Sequence, residues 1–508
     1  VNIFTVFLLA AVAVAEPDPY SGTVQTINPD PFWTDPSFEE FAAQRTRYRP
    51  FQVNPVFSTD NSPDMAVLLE EGLGSQIGMD LLQQWMDDIH AEEYEIQLIE
   101  MTYGTPEEVK SLLDSLHTLG LEGAVFVGDL PAAWAAVWDT QVEIGEQFPC
   151  DYFFMDLDGE WLDLWVGFPR DSVPGQDGFY DTFQGTLDPE IWVGRIRTDN
   201  LSAAGDPVQM IRDYLEKNHA WRTAGDPFPL RALCYVDDDW QASGEIYQQA
   251  MELLFENVDL FNRSEVTCAD DYEQTRLPDT YTWISPFVHS GPNNHFWQPS
   301  AGTTNWSEIA AINPSARFYN LFACSNCRFT TANNMGSIYA VAADHGLAAV
   351  GSTTSGAMLR FTYFYGPLGG GGSLGEAYRL WWEQIAQGGF SQMELNWHIG
   401  MVLLGDPSLV PVRFSTGVEE PEGNHSPGLI LSPNPTRGFI QADVRDSPSA
   451  PGVLQVFDIA GRLIEARNLI GDESGRSSTR FHGLRPGLYF MRLLTDQKTL
   501  VERFAVIE

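Results

Sequence analysis

The chain has 508 residues, 44% of them hydrophobic and 19% charged, a globular composition long enough for about three domains, which excludes disorder throughout. Its 28 Lys plus Arg stand against 70 Asp plus Glu, a formal charge of −42, and a surface that negative repels phosphate backbones, so nucleic acid is excluded as a general partner. Lysine occurs only at Lys110, Lys217 and Lys498, and an acidic, Lys-poor surface suits a medium whose salt screens self-repulsion.

In chain order, the first feature is the apolar run NIFTVFLLAAVAVA, followed by Glu16 and Pro17. It is short for a bilayer span, and Ala13 and Ala15 form an A-x-A pattern, so residues 1–15 are expected to be a signal peptide cut before Glu16. Residues 16–63 carry Pro17, Pro19, Pro29, Pro31, Pro36, Pro50, Pro55 and Pro63 without apolar periodicity, the pattern of an extended arm or propeptide. From Met65 short apolar runs alternate with helical stretches: AVLLE, a helix near 76–92, YEIQLIEM, a helix opening at TPEEV, then GAVFVGD. Thr105, Pro106 and Glu108 have the spacing of a capping box with proline at the first helical position.

The rhythm resumes after Gly225-Asp-Pro-Phe-Pro with RALCYV, a helix over 244–255, TWISPFVH, ARFYNLFAC, a helix over 337–344 and LAAVGST. A last helix over 376–387 follows the glycine run 369–372, which is expected to be a mobile loop beside the substrate cleft. Alternation of this kind predicts a mostly parallel sheet flanked by helices, an α/β domain over 64–413 in two halves, 64–222 and 223–413. A linker, 414–428, contains VEEPEGNHSPG. Beyond it, residues 429–508 hold ten Lys plus Arg and nine Asp plus Glu. This near-neutral tail reads as short strands with turn chemistry between them, a small all-β sandwich forming its own module.

Two strand-like runs end in reactive residues. TWISPFVH ends at His289 and RFYNLFAC at Cys324, and functional groups gather at the carboxyl ends of strands in an open parallel sheet. If the two strands are neighbours, the thiol and the imidazole meet. A thiol that passes its proton to a nearby histidine becomes a thiolate able to attack a carbonyl, while the imidazolium protonates the leaving amine. Backbone N–H groups at Cys324 and in a Ser290-Gly291 turn, with Gly291 allowing close approach, would form the oxyanion hole. The cysteines number five (Cys150, Cys234, Cys268, Cys324, Cys327), an odd count that leaves at least one thiol unpaired within the chain.

Two resemblances sharpen this reading. The tail segments SPNPTRG (432–438), LQVFDIAGR (454–462) and LRPGLYFMRL (484–493) resemble the C-terminal sorting domain of type IX secretion cargo. VFVGDLPAAW, DYFFMDLDGEW, PEIWVGRI, FVHSGPNNHFW, FYNLFACSNCRF and LLGDPSLV, spread over about residues 65–412, resemble the gingipain-like cysteine peptidases, whose catalytic domain is caspase-like. The resemblance implies a secreted endopeptidase with a Cys324–His289 dyad, protein or peptide substrates, no required cofactor, no transmembrane segment in the mature chain, and delivery through the periplasm and the secretion machinery to the outer-membrane surface or medium. It departs from the family in two places. Ser290 follows His289 where the family has glycine, leaving His295 as a second candidate base, and Cys327 gives CSNC, a candidate disulfide partner for Cys324. Cys324, Cys327, His289 and His295 also make an allowed zinc set. Asp156, Asp158 and Asp163 are hard oxygen ligands of the kind that suit calcium, which related peptidases often bind. Asp237, Asp238 and Asp239 form a second carboxylate group. The competing function is a catalytically inactive surface or binding protein that keeps this fold, since fold does not fix function.

Overall fold

Eleven short strands build one sheet: β1 (Val53–Ser58), β2 (Met65–Glu70), β3 (Ile96–Met101), β4 (Gly123–Val127), β5 (Trp192–Ile196), β6 (Arg231–Val236), β7 (Asn257–Phe261), β8 (Trp283–Phe287), β9 (Phe318–Asn320), β10 (Ala348–Ser352) and β11 (Met401–Gly405). Their lateral order is β1-β3-β2-β4-β5-β11-β10-β9-β8-β6-β7. This computed structural model describes residues 51–412 apart from 60–61, 140–143, 168–171, 224–229, 299 and 388, together with most of 428–506. The expected signal peptide, most of the expected arm, and the linker through 427 lie outside the described residues.

The sheet is two parallel sets joined back to front. β3, β2, β4, β5 and β11 run parallel to one another, as do β10, β9, β8, β6 and β7. At the seam β10 pairs with β11 antiparallel, so the carboxyl ends of the two sets face opposite edges. The halves are therefore not self-contained: β11, late in the chain, returns to complete the first set. The arm also contributes. Val53–Ser58 pairs antiparallel with β3 at the sheet edge, with an irregularity between Pro55 and Phe57, the kind of position in which a sheet tolerates proline.

Strands buried on both faces read as continuous apolar runs. In β2, Val67 and Leu69 enter one core layer while Ala66 and Leu68 enter the other. Helices cover both layers. Helix Pro106–His117 opens as expected: Glu108 N donates to Thr105 Oγ1 at 3.2 Å and Thr105 N to Glu108 Oε2 at 2.8 Å, with Pro106 in the first turn. The expected 76–92 helix is split by Gly78, at φ +100°, into Leu73–Ile77 and Met79–His90.

Two recognisable motifs have structural work. Arg195, fully buried on β5, makes a bidentate pair with Asp151 at 2.9 and 2.6 Å and lies over the rings of Phe126 and Phe329. Asp406 of the LLGDPS stretch accepts bonds from Trp85 Nε1, Asn218 Nδ2, Arg222 Nη2 and Ser408. Burial alone would raise its carboxyl, but Arg222 and these donors hold it below the usual range. Gly369, the first of the glycine run, closes helix Thr362–Gly369, and a Cβ on it would lie 2.0 Å from Leu253 O, so this end of the run packs against the chain following helix Gly244–Met251.

The tail folds as expected into two antiparallel sheets. One contains Gly428–Ser432, Phe439–Arg445 and Ser477–His482, the other Leu463–Leu469, Gly452–Asp458, Gly487–Leu494 and Thr499–Val506. Ile440, Leu454, Val456, Phe481, Met491 and Phe504 fill its core. Among the described residues no helix is long and apolar enough to cross a membrane.

Candidate active site

Three neighbouring strands lead into three side chains at one edge of the sheet. On β6, Val236 pairs with Phe287 of β8, and Asp237 N donates to Phe287 O at 2.9 Å. On the other side of β8, Phe287 forms a parallel bridge with Phe322; Val288 N donates to Phe322 O and Phe322 N to Pro286 O, both at 3.1 Å. His289 and Cys324 each follow two residues after this bridge, and Asp239 follows three residues after Val236, in the helical turn Asp238–Ser243. Equal register on adjacent parallel strands brings His289 and Cys324 out at the same level.

Further bonds tie the His289 segment to the Cys324 segment. Asn326 Nδ2 donates to Gly291 O at 2.8 Å, Met335 N to Pro292 O at 2.8 Å, and Asn293 Nδ2 to Ala332 O and Asn333 O at 2.8 and 2.9 Å. Directly after Cys324 the chain kinks, with Ser325 at φ +57°, a left-handed conformation costly for a non-glycine residue and concentrated at functional sites.

His289 Nε2 lies 2.7 Å from Asp239 Oδ2, the side chains retaining 27% and 63% of their exposure. The imidazole packs on Trp240 with centroids 4.6 Å apart, and Trp240 also meets Phe322. With Nε2 engaged by the carboxylate, Nδ1 is the nitrogen left for other chemistry. The sequence places Asp239 only in a carboxylate group with Asp237 and Asp238, and this contact is not legible in it. The available signal was position, since RALCYV also ends in functional side chains. Asp237 itself is buried, accepts Gln298 N at 2.9 Å, and has its carboxyl pushed up to about 7 by burial.

Cys324 is half-buried and its thiol is free. Burial pushes the thiol up to about 11, the Glu146 carboxylate acts in the same direction, and N–H groups of Gly356 and Cys324 itself oppose both. Glu146 comes from the hairpin Trp134–Asp139/Ile144–Pro149. It accepts bonds from Thr354 Oγ1 and from the N–H and Oγ of Ser355. Thr353 Oγ1 donates to Pro149 O at 2.6 Å and Arg328 Nη2 to Gln147 O at 2.7 Å. The hairpin thereby clasps the loop after β10 that carries Gly356.

The accessory residues fall elsewhere. Cys327 is buried between Gly336 and Gly351, its thiol strongly raised by burial, and it forms no disulfide with Cys324. His295 is fully buried, not a second base: Ser290 and Tyr339 hold it, and burial depresses it to about 3. Ser290-Gly291 is strand, not turn; the hairpin reverses at Pro292-Asn293, with Gly291 opposite Asn294. The zinc set is not assembled, because two of its members are core side chains.

Among the described residues one group of three candidate metal ligands comes together, Asp156, Asp158 and Glu190, with ligand atoms within 4.8 Å of one another. Asp163 is not part of it and accepts the N–H groups of Asp177 and Gly178 instead. The group does not fit a hard cation well. Asp156 spends both oxygens on Gly159 N and Trp161 Nε1, burial raises it to about 7, Glu190 accepts Leu157 N, and the cationic Lys110 is already beside them.

Residues 99–412 match the sequence profile described as Peptidase family C25, and residues 431–507 match the Secretion system C-terminal sorting domain. None of the curated proteins matches. Among solved structures, dimeric latent PorU from Porphyromonas gingivalis is 11% identical with a TM-score of 0.31; the match covers 88% of this chain and 44% of PorU, so the chain spans under half of that protein. The sulfur carrier protein SoxY from Chlorobium limicola f thiosulfatophilum is 12% identical with a TM-score of 0.13, over 17% of this chain and 82% of SoxY. Similarity this low carries no argument.

Proposed function

The chain belongs to peptidase family C25, and from that premise we propose that it is an endopeptidase working through Cys324 and His289, with Asp239 orienting the imidazole. The sorting domain implies interaction with the type IX secretion machinery and supports delivery to the bacterial cell surface. One observation supports the catalytic reading: in the register of β8 and the β9 segment, His289 and Cys324 each follow two residues after the bridged Phe287 and Phe322, and Asp239 meets His289 from the turn after β6.

In the proposed reaction His289 Nδ1 takes the Cys324 proton as Sγ attacks the scissile carbonyl carbon. The carbonyl electron pair moves to oxygen, giving a tetrahedral oxyanion. Its collapse breaks the C–N bond, and the imidazolium returns the proton to the leaving amine, leaving a thioester on Cys324. Water, deprotonated by His289, hydrolyses that ester and restores the thiol. Asp239 faces the positive charge on the imidazolium, as a carboxylate partner does in other triads.

Backbone N–H groups suit the oxyanion. Cys324 N–H is one. Gly291 was expected to supply the other, but Gly291 flanks the two-residue turn, where the ladder uses its N–H, while the alternation of antiparallel pairs leaves the N–H of Ser290 on the outer edge. Ser290 is therefore the better donor.

The inactive-surface-protein reading has one observation in its favour, the thiol pushed up to about 11. Hydrolysis of a positional-scanning peptide library separates the two. The peptidase reading expects cleavage that Cys324→Ala abolishes with the far-ultraviolet circular dichroism unchanged. Cleavage that survives this substitution defeats it.

A further inference from the structure

The hairpin that carries His289 has two faces. Ser290 pairs with His295, and His289 with Phe296, so alternation turns Ser290 and His295 to the face opposite His289. Ser290 is 3% exposed and His295 0%. Ser290 Oγ lies 2.8 Å from His295 Nδ1 and 3.4 Å from Val288 O. The file continues inward, with His295 Nε2 3.2 Å from Tyr339 Oη and Tyr339 Oη 3.1 Å from Tyr272 Oη. A neutral imidazole has one donor and one acceptor nitrogen, and each hydroxyl can do either, so every link is satisfied with the bonds running in either direction. No substrate reaches this file, and it performs no chemistry itself.

We propose that His295 is a positioning residue: through the Ser290 hydroxyl it anchors the strand on its core side and so aims the Ser290 N–H at the substrate oxyanion. This rests on the Cys324 peptidase reading. The physical need is specific to this chain. In the non-hydrogen-bonded position of a hairpin, no ladder bond fixes the direction of the Ser290 N–H. Glycine at this point has no side chain to hold. Serine has one, and a buried hydroxyl must find a partner; His295 supplies it at the residue directly opposite. The anchor lies one residue from His289 and on the other face, so it can restrain the pleat of the strand without entering the cleft.

The test uses the full chain, a fluorogenic peptide it cleaves, a peptide aldehyde of the same sequence, and iodoacetamide. The aldehyde adds the Cys324 sulfur to its carbonyl carbon and places an oxyanion where the tetrahedral intermediate would. His295→Phe keeps the ring volume and removes both nitrogens. It should lower kcat roughly 10- to 100-fold, less than loss of a whole oxyanion donor at its upper end, with KM and the alkylation rate of Cys324 within about twofold, and it should weaken the aldehyde by the same factor as kcat. His295→Asn, whose amide can still meet Ser290, should recover most of the loss. Ser290→Ala should reproduce the pattern, and the double variant should be no worse than His295→Phe alone.

The proposal is overturned if aldehyde affinity stays while kcat falls, if Cys324 alkylation falls in step with kcat, or if His295→Asn is no better than His295→Phe. Should His295→Phe not fold, Ser290→Ala, which deletes one atom, decides by the same readouts. A wild-type protein that neither cleaves peptides nor captures the aldehyde on Cys324 defeats the peptidase reading and this inference with it. A wild-type protein that does both, beside His295 variants that match it, defeats this inference alone.

Discussion

The resting state of Cys324 is the sharpest consequence of the site's electrostatics. A thiol pushed up to about 11 holds about 300-fold less thiolate at neutral pH than an ordinary cysteine near 8.5. Greater nucleophilicity of the more basic sulfur returns about tenfold. Iodoacetamide should therefore label Cys324 some 20- to 30-fold more slowly than a free thiol at pH 7, and the rate should climb about tenfold per pH unit toward pH 10. The assay is timed alkylation between pH 6 and 10, read by mass spectrometry of the peptide containing Cys324. Cys268, the other half-buried thiol, serves as the internal reference, since Cys150, Cys234 and Cys327 are buried and label only on unfolding. A thiolate already paired with imidazolium would give fast alkylation that is flat between pH 6 and 8. That result would refute the argument that proton transfer accompanies attack, and with it the dominance of burial at this sulfur.

Other expectations follow from the same contacts. Asp239→Asn should lower kcat at most about 5-fold, because the carboxylate is well exposed and such pairs contribute about 0–1 kcal/mol, whereas His289→Ala should remove turnover; a loss with Asp239→Asn as large as with His289→Ala would contradict the modest role. Glu146→Gln removes a charge that holds the thiol up, so Cys324 alkylation at a fixed pH should rise while kcat falls as the loop carrying Gly356 loosens; both moving together would count against it. Asp151→Ala leaves the buried Arg195 charge unpaired and should cost about 3–5 kcal/mol in denaturant unfolding, with an unchanged midpoint as the contrary result. Deleting residues 429–508 should leave peptide hydrolysis intact and strand the enzyme in the periplasm, and correct surface delivery without them would refute the sorting role.

Strand ends were legible because short apolar runs stop at His289 and Cys324, and the capping box at Thr105 is a purely local pattern that the helix obeys. What stayed hidden depends on neighbours distant in sequence. Alternating strands and helices announce a sheet but not strand direction, so the antiparallel seam between β10 and β11 left no trace in the rhythm. Asp239 stood among three consecutive aspartates that read as solvated or metal-binding, and only the placement of β6 beside β8 singles it out. In HSGPNNHFW the glycine suggested a turn at Ser290-Gly291. The reversal at Pro292-Asn293 instead sets His289 and His295 on opposite faces, which separates a candidate base from a core side chain. The proline-rich arm hid β1 because Pro55 sits at an edge irregularity, one of the few places a strand accepts it.

The central claim is that Cys324 carries the acyl group during turnover. A slowly deacylating peptide ester mixed with the protein, quenched in acid after milliseconds to seconds and digested, gives the direct answer by mass. The account predicts the acyl increment on the peptide containing Cys324, released by hydroxylamine and absent in Cys324→Ala. Ester hydrolysis with no increment on Cys324, or proceeding at the wild-type rate in Cys324→Ala, would contradict it.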